Sequence, residues 1–214
     1  DLGTVTNDAK ITVNGKEIEL SALLEKWTAP LEKVFPTKAE VPEIEVDVPL
    51  YSERNTSSPA IKVAKPTVFI PVFPGTNCEV DTARAFEKAG ANVEMLIVKN
   101  LSSNDIEETI DEMEKLIAKS QMIMLPGGFS GGDEPDGSGK FIATTFRNPR
   151  IAEQVNNLLK NRDGLMLGIC NGFQALIKLG LVPYGEIRPQ TDDSPTLTMN
   201  SIGRHQSKMV YTKV

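Results

Sequence analysis

The chain has 214 residues, 40% of them hydrophobic and 24% charged, and a net charge of −6 from 23 basic and 29 acidic residues. This composition is typical of a globular protein. An acidic chain without a basic cluster is a poor match for nucleic acid, so we expect no such partner. No apolar run approaches the roughly 20 residues that span a bilayer, so we expect no membrane partner. Two cysteines do not make a disulfide scaffold, which favours a reducing, cytoplasmic location.

The first 35 residues predict a small unit made of a hairpin and a helix. The segments KITV at 10–13 and EIEL at 17–20 flank Asn14-Gly15, the strongest two-residue hairpin signal. A helix is predicted from Ser21 to about Phe35. Residues 36–65 are rich in proline and lack apolar periodicity, which is typical of an extended linker. The chain begins without methionine and ends in an alternating segment, so we expect it to be a piece of a longer polypeptide.

From residue 66 onward, short apolar segments alternate with helical patterns through glycine-bearing turns. Strands are predicted at residues 67–73, 92–98, 122–125 and 165–169. Helices are predicted at 80–88, around the apolar positions 106, 110, 113, 116 and 117, at 151–159 and at 175–179. Ser103 or Asn104 is the predicted cap of the second of these helices. The alternation predicts a doubly wound, flavodoxin-like α/β domain with a mostly parallel sheet and helices on both faces. Residues 129–148 are predicted to form a long loop that is mobile without a ligand.

The pentapeptide GICNG at 168–172 follows a predicted buried strand and opens a predicted helix. This is the pattern of a nucleophile elbow, with cysteine in place of serine. The tight turn needs small residues on both sides, and the helix N-terminus favours the thiolate form of Cys170. The alternative interpretation is a small buried side chain in a turn. Cys78 also precedes a predicted helix, but it lacks the flanking glycines, which favours a structural role for it.

The segment LPGGFSGGD at 125–133 follows the neighbouring predicted strand. Its tip should lie at the same carboxyl edge of the sheet as Cys170, where such folds bind ligands. Glycines there let a backbone N–H turn toward an oxyanion, completing a hole with the N–H of Asn171. The alternative is a flexible turn. No cluster of ligating side chains has metal spacing, so we expect no metal site.

A cysteine hydrolase also needs a base, usually a histidine oriented by a carboxylate. The single histidine, His205, has no acidic residue closely following it. We therefore interpret His205 as a strand or loop residue rather than the base. The sequence predicts a nucleophile and an oxyanion hole without the rest of a triad.

Three motifs in this order carry a family resemblance: FPGTNCE at 73–79, LPGGFS at 125–130 and GICNGFQ at 168–174. Together they resemble the glutaminase domain of class I glutamine amidotransferases, and within these the phosphoribosylformylglycinamidine synthase family. The resemblance covers residues 66–214, read as a glutaminase domain incomplete at its C-terminus. Residues 1–35 resemble the tail of the preceding synthetase domain in the large single-chain form, and residues 36–65 its linker.

The resemblance implies that glutamine is hydrolysed through a cysteine thioester to supply ammonia for ATP-dependent amidation of formylglycinamide ribonucleotide in purine biosynthesis. It implies Cys170 as the catalytic nucleophile, Gly128 and Asn171 as oxyanion-hole donors, and Gln174 as a substrate-binding residue. The implied partners are glutamine and the synthetase domain of the same polypeptide. ATP and magnesium would belong to that missing domain, with no cofactor in this fragment. The family's His-x-Glu pair has no counterpart here, so we expect the fragment alone to be inactive.

Two other interpretations remain open from the sequence. A DJ-1-type protein also has an elbow cysteine, although those elbows usually place a histidine where this chain has Asn171. A non-catalytic flavodoxin-like binding or docking module would explain the missing base and the linker at 36–65. Labelling of Cys170 by a thiol-alkylating glutamine analogue would distinguish the glutaminase from the module.

Overall fold

A computed structural model describes residues 3–34, 53, 58–131, 139–197, 200, 205, 207 and 209–210. The chain divides into two compact units, one of Asp1–Glu53 with Met199–Val214 and one of Arg54–Thr198. Most of the predicted linker at 36–65 lies outside the described residues, and the predicted domain boundaries stay predictions. Within the described ranges, no helix has both the length and the apolar character needed to cross a bilayer.

The first unit contains the predicted hairpin and helix. Strands β1 (Lys10–Val13) and β2 (Lys16–Glu19) pair antiparallel. Asn14 and Gly15 between them have positive φ angles of 50° and 76°. Two central residues with positive φ match the right-handed twist of the strands, which is why this dipeptide favours a hairpin. Helix α1 (Leu20–Glu32) follows directly, so the predicted hairpin and helix are confirmed.

The second unit is a four-stranded parallel sheet with helices on both faces. Its strands are β3 (Thr67–Val72), β4 (Asn92–Ile97), β5 (Met122–Leu125) and β6 (Leu165–Gly168), in the order β4-β3-β5-β6. Its helices are α2 (Glu79–Lys88), α3 (Ser103–Lys119), α4 (Lys140–Phe146), α5 (Pro149–Asn161), α6 (Asn171–Leu179) and α7 (Leu181–Tyr184). The chain winds one way to β4 and then the other way to β5 and β6, as in flavodoxin-like sheets. The predicted doubly wound fold is confirmed.

Alternate side chains of the central strands build a core on each face of the sheet, because successive residues of a strand point to opposite sides. On one face, Phe69 and Ile123 belong to the larger buried cluster, which also takes in Ile117 of α3 and Leu158 of α5. On the other face, a smaller buried cluster contains Val68, Ile70 and Met124 of the sheet and Ala83 of α2.

Strand β6 differs from the expectation of a buried elbow strand. Among the described strands it lies at the edge of the sheet, and Leu165 and Leu167 remain 65% and 49% exposed. These two residues pair with Met122 and Met124, so they lie on the face of the smaller cluster. An apolar run predicts a strand, but it does not determine whether another element covers both of its faces.

Two further expectations are corrected by the structure. The N-cap of α3 is Ser102, whose Oγ accepts a hydrogen bond from the N–H of Asp105 at 3.1 Å, rather than Ser103 or Asn104. The predicted long loop at 129–148 contains α4, which buries Ile142 and Phe146. Residues 132–138 of that loop lie outside the described part. A seven-residue helix is too short for its apolar spacing to stand out in the sequence, and α7 was missed for the same reason.

The side chain of Arg162, just after α5, bonds to the C-terminal end of α3. The guanidinium of Arg162 donates to the carbonyls of Ile117 at 2.7 Å, Ala118 at 2.8 Å and Ser120 at 2.9 Å. Carbonyls at a helix end lack partners within the helix, and a cation there also complements the helix dipole. Burial lowers the pKa of Arg162, but an arginine remains charged at neutral pH.

We expect Arg162→Met to lower the free energy of unfolding by about 1.5–3 kcal/mol, because several carbonyls lose a charged donor. Urea unfolding followed by far-UV circular dichroism measures the change. Arg150→Met is the matched control, since Arg150 pairs with Asp111 and Glu114 at an exposed position where ion pairs contribute little. Equal destabilisation by the two substitutions would contradict the role given to Arg162.

Candidate active site

The turn between β6 and α6 holds Cys170 in a rare backbone conformation. Its φ and ψ are 51° and −107°, and its thiol is exposed. A positive φ at a residue with a side chain is strained and persists only when the surrounding structure enforces it. The N–H of Ile169 still pairs with the carbonyl of Leu125 at 3.1 Å, and the carbonyl of Cys170 accepts the N–H of Gln174 at 3.0 Å. The strand therefore changes into a helix across a single exposed cysteine.

The two glycines of the elbow are required by close backbone contacts. A Cβ at Gly168 would lie 2.6 Å from the carbonyl oxygen of Gly172. A Cβ at Gly172 would overlap the carbonyl oxygen of Leu125 on the neighbouring strand. The spacing predicted to matter from the sequence thus has a direct steric cause, and the turn could not pack this closely with larger residues.

The glycine loop after β5 is anchored to the loop after β3. The N–H of Asn77 donates to the carbonyl of Gly127 at 2.9 Å, and the N–H of Phe129 donates to the carbonyl of Gly75 at 2.8 Å. These bonds flank an isolated antiparallel bridge between Thr76 and Gly128, and they use neither the N–H nor the C=O of Gly128. The amide of Gly128 is therefore not consumed by the bridge.

Gly128 itself has no room for a side chain. Its φ is 120°, and a Cβ there would lie 2.6 Å from the backbone nitrogen of Asn77. The preceding glycine borders the nucleophile, since a Cβ at Gly127 would lie 3.4 Å from the Cβ of Cys170. The structure thus brings the glycine loop beside the elbow, at the carboxyl edge where the sequence predicted it.

Asn171 connects this loop to the elbow helix through its side chain. Its Oδ1 accepts the hydroxyl of Ser130 at 2.6 Å and the N–H of Ser130 at 3.2 Å. Its Nδ2 donates to Oε1 of Gln174 at 3.3 Å. Asn171 and Ser130 are only 1% and 2% exposed. Ser130 is a site residue that the sequence did not predict. The available signal for such a contact was a short polar residue just after a strand, at the same sheet edge as the elbow.

The four predicted site residues lie at one edge of the sheet. Cys170, Asn171 and Gln174 share the elbow and α6, and Gly128 lies in the adjoining loop. Cys78 is the N-cap of α2, is exposed and has a φ of 69°. Cys78 directly follows Asn77, whose N–H bonds to the carbonyl of Gly127 in the glycine loop.

The part of the Cys170 unit that the structure describes contains no histidine. The single histidine of the chain, His205, belongs to the other unit and is exposed. Over the described ranges, no group of three or more His, Cys, Asp and Glu side chains is arranged to hold a metal ion. The described site contains an exposed thiol, a helix N-terminus and the N–H of Gly128, which the bridge to Thr76 does not use.

Comparisons with known proteins agree with this geometry. Residues 65–214 match the family model described as a CobB/CobQ-like glutamine amidotransferase domain. The chain is 37% identical over 142 residues to phosphoribosylformylglycinamidine synthase subunit PurQ of Dehalococcoides mccartyi, covering 66% of this chain and 49% of that protein. The PurQ subunit of Methanococcus maripaludis is 35% identical over 156 residues, covering 72% and 51%. That of Archaeoglobus fulgidus is 31% identical over 141 residues, covering 65% and 50%.

The solved structure of PurLQS from Thermotoga maritima aligns with 31% sequence identity over 55% of this chain and 45% of that chain, at a TM-score of 0.38. The chain spans about half the length of the curated relatives it matches. The family model covers well over half of this chain, including the elbow and the glycine loop. The chain therefore belongs to the CobB/CobQ-like glutamine amidotransferase family.

Proposed function

We propose that this chain carries the nucleophile of a glutaminase that supplies ammonia to the phosphoribosylformylglycinamidine synthase reaction. The observation that carries the proposal is the strained, exposed Cys170 at a strand-to-helix turn beside a glycine loop. The relatives named as PurQ subunits of that synthase support the choice among glutamine amidotransferases. Membership of a glutamine amidotransferase family does not favour the DJ-1-type or docking-module alternatives.

In the proposed reaction, the sulfur of Cys170 attacks the side-chain amide carbon of glutamine. The carbonyl oxygen becomes an oxyanion, and its collapse breaks the C–N bond and leaves a γ-glutamyl thioester. The departing nitrogen takes a proton and leaves as ammonia. Water then hydrolyses the thioester, releasing glutamate and regenerating the thiol. Cys170 is the N-cap of α6, and the positive end of a helix dipole complements negative charge that develops during the reaction.

We assign the oxyanion to the backbone N–H groups of Gly128 and Asn171. The bridge to Thr76 leaves the Gly128 amide unused, and both donors lie beside Cys170 at the same sheet edge. Preorganised N–H donors stabilise the charge that develops in the transition state. Gln174, one helical turn into α6, is the proposed contact to the bound glutamine.

The proposal assigns the remaining groups outside the unit that holds Cys170. A histidine and carboxylate pair would come from polypeptide other than these 214 residues, and ATP and magnesium would bind the synthetase part. We further propose the large single-chain arrangement, in which residues 1–35 belong to the preceding synthetase domain and residues 36–65 are its linker. No cofactor is assigned to the glutaminase part.

The first test compares the two thiols. Both are exposed and begin a helix, but α2 carries Glu79 and Asp81 in its first turn, whereas the first turn of α6 has no acidic residue. At α2 these carboxylates share the positive helix end with Cys78, whereas Cys170 shares the N-terminus of α6 with no acidic side chain of the first turn. We expect iodoacetamide to modify Cys170 about threefold to tenfold faster than Cys78, a ratio set by helix-end and carboxylate effects of this size.

Peptide mapping by mass spectrometry after timed labelling gives the two rates. The single variants Cys78→Ser and Cys170→Ser show that each rate belongs to the assigned residue. Faster labelling of Cys78 would remove the reason for assigning Cys170 as the nucleophile.

The second test is glutamate release from glutamine by the purified chain. We expect turnover to be lower than that of the full-length PurQ subunit of Methanococcus maripaludis by a large factor. General acid–base help contributes about 10²–10⁴-fold, and a triad acting as a unit contributes on the order of 10⁶-fold. One oxyanion donor contributes roughly 10²–10³-fold, so an intact hole does not replace the base.

A Cys170→Ala variant is the control for this assay. Robust turnover that this substitution abolishes would mean that a base exists within these 214 residues. His205 would then be the histidine to substitute next, and the assignment of the base to other polypeptide would be wrong.

A further inference from the structure

A chain of hydrogen bonds runs from the glycine loop through Asn171 to Gln174, and it is buried between Ser130 and Asn171. The Ser130 hydroxyl donates to Oδ1 of Asn171 at 2.6 Å, and Nδ2 of Asn171 donates to Oε1 of Gln174 at 3.3 Å. The first bond joins residues 41 positions apart and lies between two side chains that are almost fully buried. Such a bond is strong in a low-dielectric surrounding, and breaking it leaves a polar group without a partner.

This contact links the two segments that carry the proposed oxyanion donors. Asn171 carries one donor on its own backbone, and Ser130 lies two residues from Gly128, which carries the other. The bridge to Thr76 holds this loop to the loop after β3, but Gly128 and Gly131 have no side chains that could pack it against α6. The spacing of the two donors therefore depends on what holds the loop against α6.

We infer that the side chains of Ser130 and Asn171 are positioning groups, which set the oxyanion hole and fix the orientation of Gln174. The inference rests on the proposed function. Neither side chain contacts the reacting atoms in this scheme. Each acts by holding a backbone amide, or the Gln174 carboxamide, in place.

The direction of the hydrogen bonds determines what Gln174 presents. Oδ1 of Asn171 accepts from Ser130, so its Nδ2 is the group left to donate to Gln174. Oε1 of Gln174 accepts that bond, which leaves the Nε2 group available as a donor. A ligand at this position is then recognised through an acceptor oxygen, such as a carboxylate or an amide carbonyl.

The experiment uses two reagents that both alkylate Cys170 in the full chain. A chloroketone analogue of glutamine develops an oxyanion when the thiol adds to its carbonyl, whereas iodoacetamide reacts at its methylene carbon and develops none. The ratio of the two labelling rates therefore measures the hole separately from the reactivity of the thiol. Rates come from peptide mapping, and thermal melting of each variant measures its stability.

We expect Ser130→Ala to slow chloroketone labelling about 10- to 100-fold, the range expected when an oxyanion donor is displaced. Iodoacetamide labelling should change by less than about twofold, because a helix-end effect on the thiol is small and is retained. Ser130→Thr keeps the hydroxyl and should restore most of the chloroketone rate. Equal slowing with both reagents, or no slowing with either, would overturn the inference for Ser130.

Ser120→Ala is the matched control for loss of a buried serine. Ser120 is fully buried, and its hydroxyl donates to the carbonyl of Leu116 at 2.7 Å, at the C-terminal end of α3. We expect a lower melting temperature with an unchanged ratio of the two rates. A change in ratio as large as that of Ser130→Ala would show that the ratio follows stability alone, which would overturn the inference.

Asn171→Asp tests the orientation of Gln174 and remains informative if Ser130→Ala does not fold. The introduced carboxylate still accepts the Ser130 hydroxyl, but it has no N–H to donate to Gln174. We therefore expect the chloroketone analogue to bind about tenfold more weakly, which is the cost of one lost hydrogen bond. Unchanged binding would overturn the orienting role.

Failure of the proposed function gives a different result. In that case glutamine would not protect Cys170 of the unsubstituted chain from the chloroketone.

Discussion

The candidate site depends on the close approach of the elbow to the strand beside it. A side chain at Gly172 would overlap the carbonyl of Leu125, and the N–H of Gly172 donates to the carbonyl of Pro126 at 3.1 Å. Because the two backbones are in contact, β6 changes into α6 within one turn and Cys170 takes a positive φ. Strain of this kind costs about 1–3 kcal/mol and must be offset by the pairing and packing around it.

Three loops meet at the carboxyl edge of the sheet. The loop after β3 bridges to Gly128, the loop after β5 contacts Asn171, and the elbow follows β6. In a parallel sheet the carboxyl ends of neighbouring strands lie side by side, so residues far apart in sequence become neighbours there. The amide of Gly128 and the thiol of Cys170 are brought to one site by this topology rather than by any local pattern.

The surroundings distinguish the two cysteines more than their exposure does. Each thiol is exposed and each precedes a helix. Only Cys170 has glycines two residues away on both sides, and only Cys78 has carboxylates in the helical turn that follows it. The two cysteines therefore differ in the steric demands of their turns and in the charge beside them.

The sequence by itself determined the alternation of strands and helices, the hairpin at Asn14-Gly15 and the elbow at Cys170. Each of these follows from a local rule, such as apolar periodicity, a turn dipeptide or glycine spacing. Only the tertiary structure decided that α4 forms within residues 129–148, that Leu165 and Leu167 stay exposed, and that Ser130 bonds to Asn171 across 41 positions. These features depend on contacts between segments distant in the chain, and a local pattern does not encode which segments will meet.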